Sequence, residues 1–440
     1  MDDRGVASMW KLGFACAPVV PDDVGKKDYW MGGYGNPQPA IGVADPPMAR
    51  VIYLSDGENS VFLAILDCVG FPRPYVCRLR EAAAPFLTEI GDPVLNVLCT
   101  HNHAGLDTIG IWGPPGKSGA DPDYICLIEA VILSLLRPAY ESAKEGRLYY
   151  GSRRCPGLVR DIREPKFTDD TVTRLRFVPA DGSRPFILAH FTAHPESLGS
   201  ANRTVSRDYP GHTATVVERE ADFAFVVGAI GGMQTTENLT APDGTQLSES
   251  ENCKRVGTLL GEAILAIKDD LELQPDLRQH SRTVEVPLTN PWFLAGYQMG
   301  ILPGKLVERN GAPAVVTEVG YLRLGILTIA LVPGELLLEL VIGGRMPGHR
   351  LPQPEREDEP LLYDVMPRGL RMVFGLANDE IGYIVPARDF YLPDTFTAEN
   401  TENPYDRFGR RHYEETSSLG WQTGGILLRA FEQLTKEIEE

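Results

Sequence analysis

Basic residues are in short supply: 42 lysines and arginines face 60 acidic residues, for a formal charge of -18. That balance argues against a general nucleic-acid binder, which needs a basic surface. Long apolar runs are missing too, and none approaches the roughly 20 residues of a bilayer-spanning helix. The N-terminus, Met1-Asp2-Asp3-Arg4, lacks the basic-then-apolar pattern of a secretory signal. Cysteine is sparse. Cys16, Cys68, Cys77, Cys99, Cys126, Cys155 and Cys253 are odd in number and contain no Cys-x-x-Cys pair, so neither a zinc knuckle nor a disulfide framework is suggested. They read as buried free thiols in a reducing compartment, and with the missing signal this gives a cytoplasmic expectation. No internal repeat or low-complexity tract is evident.

What is present suits a large globular enzyme. Hydrophobic content of 43% is ordinary and supports a sizeable core. Residues 11–45, rich in glycine, proline and aromatics, read as an ordered loop region. Strands are predicted at 49–54 and 60–66 with a hairpin at Asp56-Gly57, at 93–100, at 171–177 and 186–194 with a turn at Asp181-Gly182, at 223–228, 282–288 and 320–332. Helices are predicted at 75–88, at 122–145 with Pro138 kinking or ending it early, near 211–220, at 247–270, at 335–343 and at 420–439. Hairpins and helices are mixed without strict alternation. The expected class is therefore α/β (α+β), with mixed sheets covered by helices in one large catalytic domain over residues 1–440.

Chemistry concentrates at strand ends. Thr100-His101-Asn102-His103-Ala104-Gly105 follows the apolar run 93–99. Residues i and i+2 of a strand face the same way, so both imidazoles would point into one space, where a metal ion or a proton-transfer pair fits. By the same alternation Cys99 lies on their side, as a small core residue. His194 closes a second strand, whereas His190, in mid-strand, reads as a packed core residue. Glycines and hydroxyls from Gly228 to Thr236 follow a buried strand as a tight turn. Glu335 opens a predicted helix, where it matches the helix dipole or reaches back as a ligand. Two histidines and a carboxylate form a common catalytic zinc set.

Taken together, these motifs resemble the catalytic domain of the neutral (alkaline, non-lysosomal) ceramidases. Thr100–Gly105 is similar to that family's Thr-His-Thr-His-Ser-Gly, and Pro333-Gly334-Glu335 through Gly344-Arg345 to its Pro-Gly-Glu-Phe-Thr-Thr-Met-Ala-Gly-Arg-Arg. Leu376-Ala377-Asn378-Asp379-Glu380-Ile381-Gly382-Tyr383 resembles Leu-Ala-Asn-Asp-Tyr-x-Gly-Tyr, Tyr413–Ser418 resembles Tyr-Glu-Gly-Ala-Ser-Thr, and Arg153–Pro156 resembles Asn-Arg-Ser-Pro. The motifs keep their order over roughly residues 10–425.

The resemblance implies a zinc site of His101, His194, Glu335 and Tyr383, an oxyanion-holding pair of Arg154 and Tyr413, and His103 as the proton carrier beside the metal. Tyr405 is the alternative to Tyr413, and any role for Thr235 or Thr236 is open. It further implies hydrolysis of an N-acyl amide by metal-activated water. A single oxyanion donor contributes roughly 2.7–4 kcal/mol to such a reaction. The family's C-terminal β-sandwich domain and secretion signal are not found in the sequence, which weighs against membrane ceramide as the substrate and towards a more polar amide or ester. The alternatives are a zinc-dependent esterase or other hydrolase of a soluble substrate, and an inactive ligand-binding homologue. A small-molecule or lipid-like substrate is expected, with no nucleic-acid partner.

Overall fold

Two β-sheets stack face to face, with helices on both outer surfaces, in a computed structural model that describes residues 9–35, 37–232, 234–393 and 404–439. The larger sheet has nine strands. Its main path runs Asp222–Val227, Phe186–Phe191, Thr171–Pro179, Lys144–Arg154, Trp10–Pro18, Met48–Ser55, Ser60–Leu66, Val94–Cys99, and Leu271–Leu273 pairs beside Lys144–Arg154. Its inner pairs are antiparallel, including the hairpins at Asp56-Gly57 and Asp181-Gly182. Its two outermost pairs are parallel. Each is joined by a helical crossover, Arg73–Glu89 in one case and Asp208–Val217 in the other. The mixed class expected from the pattern is the class observed.

The second sheet orders Leu277–Pro287, Ala312–Leu324, Leu327–Leu331 and Leu370–Phe374, with Val307–Arg309 beside Ala312–Leu324. Ile52, Leu63, Leu175 and Leu188 of the large sheet pack against Leu322, Ile329 and Phe374 of the second in one shared core without helical residues. Beyond the large sheet, Val76, Ile128, Ile132, Ala214 and Leu260 come from covering helices. Beyond the second sheet, Leu427, Leu428 and Phe431 of the helix Thr423–Glu439 pack on Val286, Val319 and Tyr321. Period-2 strands with one face on each side satisfy both interfaces at once.

The large sheet curls until its opposite edges meet. Strands Asp222–Val227 and Val94–Cys99 lie at the two ends of the order, yet they are in contact. The segment Gly375–Asn378 laces them together. The Gly375 amide donates to the Val227 carbonyl (3.1 Å) and the Asn378 amide to that of Val97 (2.7 Å), while the Cys99 amide donates to Leu376 (3.2 Å). The Asn378 side chain accepts from the Val97 amide at 2.8 Å and donates to Asn96 at 2.9 Å. Asn378 is buried and holds φ at 62°, a conformation asparagine tolerates better than most residues. Asn378→Ala leaves a buried amide unpaired, so urea denaturation is expected to show a loss of about 1–3 kcal/mol.

Several local expectations fail for identifiable reasons. The start of residues 11–45 is a strand, Trp10–Pro18, because pairing on both sides overrides its glycine and alanine content. The helix Pro122–Glu141 runs through Pro138, which sits in its last turn and forfeits little there. The single strand expected at 320–332 is a hairpin that reverses at Gly325, where φ is +61°. The segment after Pro333-Gly334 is not an α-helix. Glu335–Leu336 pairs in parallel with Tyr383–Ile384, and a short 3-10 turn follows at Leu338–Leu340. Buried backbone pairing outweighs the helical preference of that leucine-rich run. Of the cysteines, Cys68, Cys99, Cys155 and Cys253 are buried, but Cys16 and Cys126 are exposed. Cys99 packs in the helix-side core with its sulfur 3.6 Å from that of Cys68.

Candidate metal centre

The curled edges bring three histidines together. His101 and His103 follow the edge strand Val94–Cys99, and His194 follows Phe186–Phe191, one strand in from the other edge. Their ring centroids are 4.6, 4.9 and 5.5 Å apart. Strand alternation is not the cause. The strand ends at Cys99, and His101 sits at φ +58°, in the left-handed region that side chains rarely adopt. Such strain is held in place by surrounding structure and clusters at functional sites. Each histidine offers a ring nitrogen within 4.8 Å of the others, close enough to hold a metal ion.

Two carbonyls orient two of these imidazoles. His101 Nδ1 lies 2.6 Å from the Val69 carbonyl oxygen, and His194 Nδ1 lies 2.7 Å from that of Gln234. A carbonyl only accepts, so both Nδ1 atoms carry hydrogen and both Nε2 atoms turn inward. Both face one oxygen of Glu335, at 3.4 Å from His101 and 2.9 Å from His194. Two imidazole lone pairs aimed at a carboxylate oxygen repel it unless positive charge lies among them. A proton supplies that charge on the residues alone. Burial opposes a charged His194, but the hydrogen bond and charge of Glu335 outweigh it and push its pKa up to about 9. Burial likewise opposes a charged Glu335, yet His101 and His194 hold it well below the carboxylate range. A divalent cation satisfies the same geometry, so the donor set fits a metal.

The remaining predicted residues divide. Tyr383 is drawn in by its pairing with Glu335 and is buried. Burial, then the charge of Glu335, raises its hydroxyl well above the usual value. The Tyr413 ring stands 6.2 Å from that of Tyr383, and burial pushes its pKa up to about 12. His103 is kept below the usual histidine range by burial and by its two neighbours, with its Nδ1 3.6 Å from Glu196. Arg154 is not brought in. Its side chain is 74% exposed and bonds Asp170, because the strand Lys144–Arg154 directs it to solvent. Tyr405 is 61% exposed at the rim. Thr235 forms a bridge beside His194, and Thr236 bonds Ser197 at 2.7 Å. His190 is a core residue, its Nε2 2.9 Å from the Val373 carbonyl oxygen.

The structure adds residues that no motif announced. Val69 and Gln234 act through backbone carbonyls, which carry no sequence signal. Glycines have local purposes. A Cβ on Gly33, where φ is +106°, would lie 2.5 Å from the His103 ring, and one on Gly231 would lie 2.5 Å from the Glu335 carbonyl oxygen. The glycines after the strand Asp222–Val227 thus admit the Glu335 backbone. Arg163 lies buried among Asp389, Glu414 and Glu415, behind Tyr413.

Two cavities meet at Gly33, His103, Tyr383 and Tyr413. One, of about 60 Å³, is walled by Ile109, Trp112, Phe293, Leu302 and Leu419 and reaches His101 and Glu335. The other, of about 570 Å³, is lined by charged side chains, among them Glu164, Glu196, Arg350 and Arg411. A cleft of about 350 Å³ adjoins the apolar cavity through Ile109, Tyr297 and Leu302.

The two-sheet sandwich that gathers these histidines has the fold of solved neutral ceramidase structures. The chain matches the neutral ceramidase from Pseudomonas aeruginosa with a TM-score of 0.73 at 16% identity, over 98% of this chain and 74% of that one. A ceramidase complexed with C2 matches with the same score and identity, over 98% of this chain and 75% of that one. No family model matches the sequence. No helix among the described residues is long and apolar enough to cross a membrane.

Proposed function

We propose that the protein is a zinc-dependent hydrolase of an N-acyl amide. The observation that carries this reading is the convergence of two inward-facing Nε2 atoms and a buried carboxylate where an apolar and a polar cavity meet. The likeness to ceramidase structures supports it. His101, His194, Glu335 and Tyr383 would hold the ion. When bound, zinc supplies a Lewis acid that polarises a carbonyl and activates water near neutral pH.

The protein's own groups supply the rest. The apolar cavity takes the acyl half, and the polar cavity takes the amine half. Tyr413, kept protonated by burial, donates a hydrogen bond to the oxyanion. His103, neutral at rest, accepts a proton and delivers it to the departing amine nitrogen, with Glu196 beside it to stabilise the imidazolium. Arg154 has no part in this account, because its guanidinium is tied to Asp170 away from both cavities.

The test pairs elemental analysis of protein never exposed to chelator with turnover of N-acyl sphingosine, N-acyl amino acids and simple esters. About one zinc per chain and amide cleavage are expected. Well under one equivalent of metal, or turnover of esters alone, would overturn the reading.

A further inference from the structure

The polar cavity narrows the amine half of the substrate. Its cations are nearly all engaged by acids. Arg163 is held by Asp389, Glu414 and Glu415, Arg350 by Glu164, and Arg410 by Asp389 and Asp406. Arg411 differs. It lines the cavity, is exposed, and has no carboxylate partner among the described residues. Its guanidinium instead lies over the Tyr413 ring, 5.4 Å from the centroid. Tyr413 in turn stands beside Tyr383, which pairs with Glu335. A guanidinium without a carboxylate partner among the described residues thus lies over a flat aromatic ring, in a cavity that His103 also lines. Of the acids lining the same space, Glu164 and Glu414 are neutralised by arginines, and Glu196 faces His103.

A second long alkyl chain is poorly served here, since it would bury the Arg411 guanidinium against hydrocarbon and strip water from the paired charges around it. A carboxylate is well served, because a guanidinium presents paired N–H donors that match its two oxygens.

We propose that Arg411 recognises a carboxylate on the amine half, so that the substrates are N-acyl amino acids. This rests on the amidase reading above. Water adds across the C–N bond, releasing a fatty carboxylate and a free amino acid whose carboxylate sits at Arg411.

Two measurements test it. The first compares kcat/KM for N-hexanoyl-glutamine and its neutral α-carboxamide. Wild type is expected to favour the acid by about tenfold or more, Arg411→Gln to bring the ratio near one, and Arg411→Lys to recover part of it. A wild-type ratio near one overturns the proposal. So does an equal loss on both substrates in Arg411→Gln, which would place the guanidinium at the reacting carbonyl. The second is calorimetry with N-hexanesulfonyl-glutamine, in which a sulfonamide replaces the scissile N-acyl amide. Binding to wild type at least tenfold tighter than to Arg411→Gln supports the carboxylate site even if no amide is turned over, in which case the amidase reading alone falls. Equal binding to both proteins refutes the carboxylate site even if amides are cleaved.

Discussion

Glu335→Ala is expected to abolish metal retention and lower amide turnover on the order of a thousandfold, equivalent to about 4 kcal/mol of transition-state stabilisation. Among the described residues, the Glu335 carboxylate is the anion that both His101 and His194 face through Nε2. Without it, two imidazoles held by Val69 and Gln234 remain with no carboxylate between them. Zinc content after gel filtration and steady-state kinetics check the expectation together. Retention of a full equivalent of zinc with unchanged rate would remove Glu335 from the site. Far-UV circular dichroism should stay native, because the backbone pairing of Glu335–Leu336 with Tyr383–Ile384 does not depend on the side chain.

Arg163→Met is expected to cost about 3–5 kcal/mol of stability. The side chain is 2% exposed and bonds Asp389, Glu414 and Glu415. A buried guanidinium of this kind gains little over a well-packed apolar residue, but removing it alone leaves three acids crowded together out of water. Arg163→Lys should recover only part of the loss, because a point charge cannot engage three carboxylates in a planar fork. Urea denaturation measures both variants, and a methionine variant within about 0.5 kcal/mol of wild type would refute the account. Activity should fall with stability, since Glu414 and Glu415 follow Tyr413 directly and fix its position.

The sequence carried the elements better than their assembly. The hairpins at Asp56-Gly57 and Asp181-Gly182 were legible because turn chemistry is local, and the crossover helix Arg73–Glu89 because its period is. The approach of His101 and His103 was legible in outcome but not in cause: alternation on a strand predicts it, whereas His101 sits in a left-handed turn after Cys99. His194 was tied to them only by the family resemblance, because its strand lies far away in sequence. The conformation of Glu335 was misread because leucines favour a helix until a partner strand 48 positions away in sequence claims their backbone. Arg154 was misplaced because a motif gives residue order but not the direction of a long side chain at a strand end. Arg163 and Arg411 could not be told apart, since only tertiary structure shows which arginine is already surrounded by acids.

The lacing of the two sheet edges by Gly375–Asn378 also bears on motion. The histidines belong to the large sheet and Glu335 to the segment leaving the second, so whatever bridges them spans the seam that the lacing closes. Such a ligand binds only the closed form, and its free energy is added to the cost of parting the edges. Amide exchange at Val97, Cys99, Gly375 and Asn378 is therefore a gauge of occupancy. These protons are expected to exchange through local opening of the seam and to slow as the site fills, with the outer helices keeping their own rates.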